Sequence, residues 1–345
     1  IFFVFKRNAI RKEFSVLMEK RDLGAEMASW NMEFSGGGDP NSPQLIINRD
    51  YYALNSARVF DVADQPYILN GDYSSKFKLI SVRTNGHVDV SGSYSLPVNS
   101  SDAPVVIGNA DPSTFGEIIV FREGLNMAQS VIIDNYLATK YGLDLEEHDY
   151  YDNADYTSDL IGIGKDIYLD GSTEQSQRGS SGAGLQIKSK SAMAVGDYVM
   201  AAHNGAEVTN ADNWERKWYV DATGEAMTVE LVFDFEAVGL DAPASAADYK
   251  LMLDGNDLGL TPTLDDGKLV FEVADIGEGV YSLGKTVGID NKEFSSAVQV
   301  YPNPVQHEAI INIKDAEVKG KLNVKVYNYL GHQVMHKQIT KETRT

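Results

Sequence analysis

Between residues 214 and 236 apolar and polar side chains alternate every second position, and that period commits the segment to β-structure. Trp214, Arg216, Trp218 and Val220 fall on one side, Glu215, Lys217, Tyr219 and Asp221 on the other. After Ala222-Thr223-Gly224, Met227, Val229, Leu231, Phe233 and Phe235 alternate with Thr228, Glu230, Asp234 and Glu236. Successive side chains of a strand point to opposite faces, so each run buries one face only. The pair reads as a long two-faced hairpin. Leu322, Val324 and Val326 repeat the pattern near the C-terminus, with Gly331 supplying the turn after it. Asn85-Gly86 between the apolar runs 77–83 and 88–90 marks another hairpin, because both turn positions accept positive φ. Residues 2–6, Phe-Phe-Val-Phe-Lys, read as a buried strand, as though the chain starts inside a domain.

A chain of 345 residues has room for two or three domains. Its 30 Lys and Arg against 50 Asp and Glu leave a net charge of −20, which argues against nucleic acid, whose binding relies on clustered basic residues. From Val298 onward seven basic residues meet four acidic ones, so a composition shift near residue 290 marks a domain boundary. Cysteine is absent, which removes disulfides, thiolate zinc sites and a cysteine nucleophile. No apolar run reaches the length of a transmembrane helix, and no basic-plus-apolar leader opens the chain; a missing upstream part accounts for the latter.

Residues 117–122, Glu-Ile-Ile-Val-Phe-Arg, read as a strand, and 125–141 as a helix with Asn126 as N-cap and Gln129 as capping-box partner. Ile132, Tyr136 and Leu137 make its buried stripe, and Gly142-Leu143 ends it in the Schellman manner. This strand and helix resemble the closing elements of LamG-like, concanavalin A-like jelly-roll domains of bacterial surface proteins. The resemblance implies a jelly roll over 1–149, lacking its first strands, of a kind that often binds glycans or matrix. Residues 150–288, with Ile161-Gly162-Ile163-Gly164, Ala201-Ala202-His203-Asn204-Gly205 and the Trp214 to Asp221 run, look like an uncharacterised β-sandwich found between such a domain and a sorting domain.

Val298-Gln299-Val300-Tyr301-Pro302-Asn303-Pro304 is a stiff entry into a last β-unit, since each proline fixes φ and extends the residue before it. With a strand at 310–313 and the hairpin around Gly331, it resembles the C-terminal sorting domain of proteins exported by the type IX secretion system, over residues 297–345. That resemblance assigns Tyr301, Pro302, Asn303, Pro304 and Gly331 to the sorting signal, makes the type IX machinery a partner, and implies a secreted or cell-surface protein. The family's final strand is missing after Thr345, so the domain reads as a partial immunoglobulin-like sandwich.

Catalytic patterns fail one by one. Jelly-roll glucanases carry E-x-D-x-x-E on one strand; here Ile119 and Arg122 stand where the Asp and second Glu would follow Glu117. No nucleophile elbow, zinc helix or phosphate loop is present, and the glycines at 162, 164 and 179–184 read as loops. The six histidines are scattered and read as surface or turn residues. Residues 144–159 hold seven acidic and no basic residues; calcium is the one ion they admit, but EF-hand spacing is absent, and a solvated interdomain linker is the preferred reading. Trp214 and Trp218 read as core, which leaves Tyr219, on the opposite face, as the open ligand-binding candidate. The chain is therefore expected to be mainly β: a concanavalin A-like jelly roll, a second sandwich and a partial sorting domain. Its expected function is non-catalytic binding of a polysaccharide or cell-surface glycan, or adhesion, without a cofactor. The alternative is a set of accessory modules of a secreted polysaccharide hydrolase with its catalytic domain upstream.

Overall fold

The computed structural model describes residues 1–9, 15–21, 28–34, 39–47, 52–60, 62–74, 78–94, 96, 98, 101–108, 113–211, 214–285, 298–301, 310–313, 320–327 and 333–341. They are mainly β, in two units, Ile1–Thr286 and Val287–Thr345.

The larger unit opens with β1 (Phe2–Arg7), β2 (Ser15–Arg21), β3 (Ala28–Phe34), β4 (Pro43–Ile47), β5 (Tyr52–Asn55), β6 (Pro66–Ser74), β7 (Leu79–Thr84), β8 (His87–Ser93), β9 (Val105–Ile107) and β10 (Ser113–Ile119). They form two five-stranded antiparallel sheets, ordered β10-β1-β6-β7-β8 and β5-β4-β3-β2-β9. Phe3, Phe5, Leu69 and Val82 of the first meet Met32, Phe34, Leu45 and Ile47 of the second in one core, sandwich I. The β7–β8 turn is the expected one, with Asn85 at φ 47° and Gly86 at φ 83°.

Helix α1 (Met127–Tyr141) follows. Its capping box is formed: the Asn126 side chain accepts from the Gln129 amide at 2.9 Å, and the Gln129 side chain accepts from the Asn126 amide at 3.0 Å. At the other end Gly142 is left-handed and the Leu143 amide donates to the Ala138 carbonyl at 2.9 Å, satisfying an orphan carbonyl.

Then come β11 (Ser158–Ile167), β12 (Thr173–Ser176), β13 (Arg178–Ser180), β14 (Leu185–Ser189), β15 (Tyr198–His203), β16 (Trp218–Thr223), β17 (Val229–Phe233), β18 (Tyr249–Leu253), β19 (Asn256–Asp257), β20 (Thr263–Asp265), β21 (Lys268–Val273) and β22 (Gly279–Lys285). A seven-stranded sheet, β12-β11-β15-β16-β22-β18-β19, packs on a five-stranded one, β13-β14-β17-β21-β20. Trp218, Val220, Tyr281 and Leu283 from the first bury against Leu231, Phe233, Leu269 and Phe271 from the second; this is sandwich II. The alternation over 214–236 holds face by face, but the hairpin does not form. β16 and β17 belong to opposite sheets, and the chain between them arches across the core. Both runs still bury one face, so periodicity alone could not separate a hairpin from an arch.

Of the stripe expected on α1 only Leu137 is buried; Ile132 and Tyr136 are half-buried, and the buried surface lies mostly on other positions. Met127, Ala128, Val131, Asp134, Asn135, Leu137 and Ala138 are all buried, because the helix lies between the two sandwiches. Met127, Ala128 and Val131 pack on Leu160, Tyr198 and Met200 of sandwich II. Leu137 and Ala138 pack on Phe2, Val4 and Ile68 of sandwich I. Fully burying a side chain such as Leu137 contributes roughly 1.5–3 kcal/mol. β1 is consequently covered on both faces, which explains its unbroken apolar run.

The acidic run 144–159 keeps its seven acidic side chains exposed, as a solvated segment would, but it is tied down along its length rather than hanging free. Leu145 and Tyr151 are buried, Glu146 takes Arg58 in two bonds of 2.6 and 2.7 Å, and Glu147 meets His87 at 2.9 Å. Asn135 of α1 donates to the His148 carbonyl at 2.8 Å and accepts from the Tyr150 amide at 2.9 Å. The apolar residues interleaved with the acids anchor the run, and Arg58 of sandwich I pairs with one of its carboxylates. The glycines read as loops also lie elsewhere: Gly162 and Gly164 are inside β11 and Gly179 is in β13. A Cβ on Gly164 would sit 2.2 Å from the Tyr198 ring, and one on Gly179 2.5 Å from the Gly162 carbonyl oxygen. These positions permit close packing of neighbouring strands.

In the smaller unit β23 (Val298–Tyr301) pairs antiparallel with β24 (Ile310–Ile313), and β25 (Gly320–Tyr327) with β26 (Gln333–Lys341).

Candidate functional site

At one end of sandwich II, Asp159, Gly182, Ala183, Glu207, Val208, Arg216, Ala237 and Val238 line an open hollow of about 470 Å³. Arg216 precedes β16 and lies in the sequence run singled out for its alternation. Its Nε donates to the Ala206 carbonyl at 2.9 Å and its Nη1 to the Ala183 carbonyl at 2.7 Å, which fixes the plane of the guanidinium. Burial holds its pKa below the usual arginine value, against the pull of Asp159 and Glu207. Among the described residues it has no carboxylate within ion-pair distance.

Asp159 owes its position to a register break in β11 between Ser158 and Ile161, and its φ of 50° turns it out of the strand. Register breaks of this kind re-aim a side chain. Its Oδ2 lies 2.8 Å from His203 Nε2, while His203 Nδ1 accepts from the Gly205 amide at 2.9 Å. With Nδ1 accepting, the ring proton sits on Nε2 and is donated to Asp159. Burial lowers the His203 pKa, Arg216 lowers it further, and the bond to Asp159 works the other way. His203 is thus a buried, neutral ring that orients Asp159, rather than the surface or turn residue its sequence context suggests.

Tyr219 lies on the outer face of the seven-stranded sheet, as the alternation requires. Its ring centroid is 6.0 Å from that of Tyr156, tilted by 36°, and 5.9 Å from that of buried Tyr151, at 80°. Its hydroxyl donates to Glu278, and burial followed by that carboxylate pushes its pKa up to about 12. Asp221, beside it on β16, is pushed up by burial, Glu278 and Asp152. Half-buried aromatic rings edged with carboxylates present apolar faces and hydrogen-bond acceptors together. Trp214 and Trp218 are core, as expected: Trp214 packs edge-on against Phe233 and Phe235, and Trp218 meets the His203 ring at 4.8 Å.

Glu117, the start of the incomplete glucanase pattern, is engaged by Lys140 at 2.8 Å and by the Tyr141 hydroxyl at 3.2 Å. Two amides, Asn31 Nδ2 and Gln44 Nε2, donate to Glu33 at 2.5 Å each on sandwich I. Asp254 and Gly255, both at positive φ, turn the β18–β19 hairpin. Among the described residues no group of three or more His, Cys, Asp or Glu is placed to hold a metal ion, and no helix is long and apolar enough to cross a membrane.

Of the sorting-signal residues, Tyr301 ends β23. Pro302, Asn303, Pro304 and Gly331 lie outside the described residues, as do His307 and His332.

Two family profiles match. Residues 299–345 match a secretion system C-terminal sorting domain. Residues 129–274 match a domain of unknown function, DUF8202, whose span starts inside α1 and takes in most of sandwich II. The tail is therefore a type IX secretion sorting domain, and the protein is secreted or displayed at the cell surface. No curated protein matches the chain. Similar solved structures include the binding domain of botulinum neurotoxin DC in complex with rat synaptotagmin II, at 10% identity over 83% of this chain and 82% of that one, TM-score 0.33. The binding domain of Paraclostridial Mosquitocidal Protein 1 follows at 11% identity over 84% and 77%, TM-score 0.34. The botulinum neurotoxin type G receptor-binding domain has 7% identity over 83% of each chain, TM-score 0.32.

Proposed function

We propose that this exported protein binds a glycan without transforming it, and that Tyr219 and Tyr156 provide the stacking surface. The proposal keeps three modules: a LamG-like, concanavalin A-like jelly roll over 1–149, a second sandwich over 150–288 and the sorting domain over 297–345. The observation that carries it is the placement of two half-buried tyrosine rings 6.0 Å apart with Glu278 and Asp221 beside them. Sugar rings offer one apolar face and a rim of hydroxyl donors, and this surface supplies a partner for each. Tyr219 is preorganised by its edge contact with the buried Tyr151 ring, so little of its side-chain entropy is lost on binding.

A glycan array probed with the 345-residue chain, followed by calorimetry on the best binder, tests the reading. Truncating a central aromatic contact costs about 2 kcal/mol, so Tyr219→Ala should weaken binding roughly 30-fold. Binding that survives both Tyr219→Ala and Tyr156→Ala would remove this surface from the function. Reducing ends released from the bound polymer would replace the binding role with a catalytic one.

A further inference from the structure

The Arg216 hollow has features that the glycan reading leaves unused. Its cation sits at the floor, half-buried and held by two backbone carbonyls, with Nη2 making no hydrogen bond among the described residues. At the rim, among the described residues, the carboxylate of exposed Glu207 has no partner, and Asp159 commits one oxygen to neutral His203 and leaves the other unbonded. Val208, Val238, Ala183 and Ala237 complete the lining.

Each charge alone would reject the ligand suited to the other. An anion drawn to Arg216 must pass two carboxylates, and a simple cation drawn to the carboxylates meets a half-buried guanidinium. Like-charge juxtaposition of that sort opposes binding about as strongly as the opposite charge favours it. A molecule with both charges satisfies all three groups: its carboxylate takes the free side of the guanidinium fork, its ammonium takes the rim, and its methylene body lies on the valines and alanines. We propose that this hollow is a binding site for a zwitterionic amino carboxylate, with Arg216 holding the carboxylate and Asp159 and Glu207 the ammonium. The site is independent of the Tyr219 surface.

Calorimetric titration of the full chain with glycine, β-alanine, 4-aminobutyrate and 6-aminohexanoate uses the methylene count as a ruler for the separation of the charges. One length should bind at least tenfold more tightly than acetate or ethylammonium. Arg216→Gln should weaken it at least tenfold. Glu207→Gln should weaken it severalfold while leaving the melting temperature unchanged, which keeps the test valid if Arg216→Gln fails to fold. A tripeptide with a free C-terminus and its C-terminal amide form a second arm: binding of the free acid alone marks a peptide end as the source, and binding of neither marks the free amino acid. Failure of every zwitterion, equal binding of acetate, or a neutral sugar that competes at this hollow and is lost with Glu207→Gln would overturn the assignment. Loss of glycan binding with Tyr219→Ala would leave the zwitterion result untouched, and the converse holds.

Discussion

Arg83 and Arg216 are both withdrawn from bulk water, one wholly and one in part, and among the described residues only Arg83 has a counter-ion. Arg83 of β7 is 4% exposed and meets Asp134 of α1, itself 2% exposed, at 2.5 Å. Arg216 is half-buried, spends two N–H groups on carbonyls and faces a hollow. The first charge is closed on all sides and ties α1 to sandwich I. The second is held rigid and left available. Burial of a charge is thus not evidence of function in itself; what separates a strut from a receptor is whether the counter-charge comes from the fold or from outside it.

Breaking the closed pair should have the largest effect. Burial outweighs the attraction of Arg83 and pushes the Asp134 carboxyl up to about 6, the sign of a pair whose desolvation cost is barely met. Removing one partner then strands the other. Asp134→Ala should lower stability by about 3–5 kcal/mol in urea unfolding, and replacing both residues with apolar ones of similar volume should recover most of it. A loss below about 1 kcal/mol would mean that Arg83 finds water.

The apolar half of the same seam comes next. Leu137→Ala empties a fully buried site between Phe2, Val4 and Ile68 and should cost about 3 kcal/mol. If the loss were below about 1 kcal/mol, the helix would be a passenger on sandwich I and not a shared strut.

At the open arginine the stability effect should be smaller. Arg216→Gln removes two hydrogen bonds to carbonyls, worth about 1–2 kcal/mol together. A loss as large as that of Asp134→Ala would erase the contrast and make Arg216 another strut. The inequality between the two variants matters more than either value.

Much of this architecture was legible in the chain. The two-residue period named the inward faces of β16 and β17, Asn126 and Gln129 named the capping box, and the charge shift near residue 290 falls close to the boundary between the units. What the sequence concealed depends on partners far along the chain. The same alternation serves a hairpin or an arch, so the crossing between sheets was invisible. Asp134 and Asn135 look like the polar side of an amphipathic helix until Arg83 and the 144–151 segment arrive to bury them. Arg216 was seen as an inward strand position, and nothing local marked the register break that turns Asp159 toward the same hollow.

The smallest expected effect concerns His203, which stands between the two kinds of charge. Its Nδ1 accepts from the Gly205 amide, so a second ring proton would have to displace that bond, and Arg216 opposes the added charge while Asp159 favours it. The folded pKa therefore lies below the unfolded value of 6.5. Between those two values the unfolded chain binds the proton and the folded one does not, so stability rises with pH across that window. The contribution is complete above about 6.5 and is lost as pH falls toward the folded pKa. Urea midpoints measured from pH 7.5 to 5 should fall more steeply for the native chain than for His203→Gln. Parallel profiles would mean that His203 accepts its second proton freely, that the Gly205 bond is expendable, and that Asp159 is oriented by the strand alone.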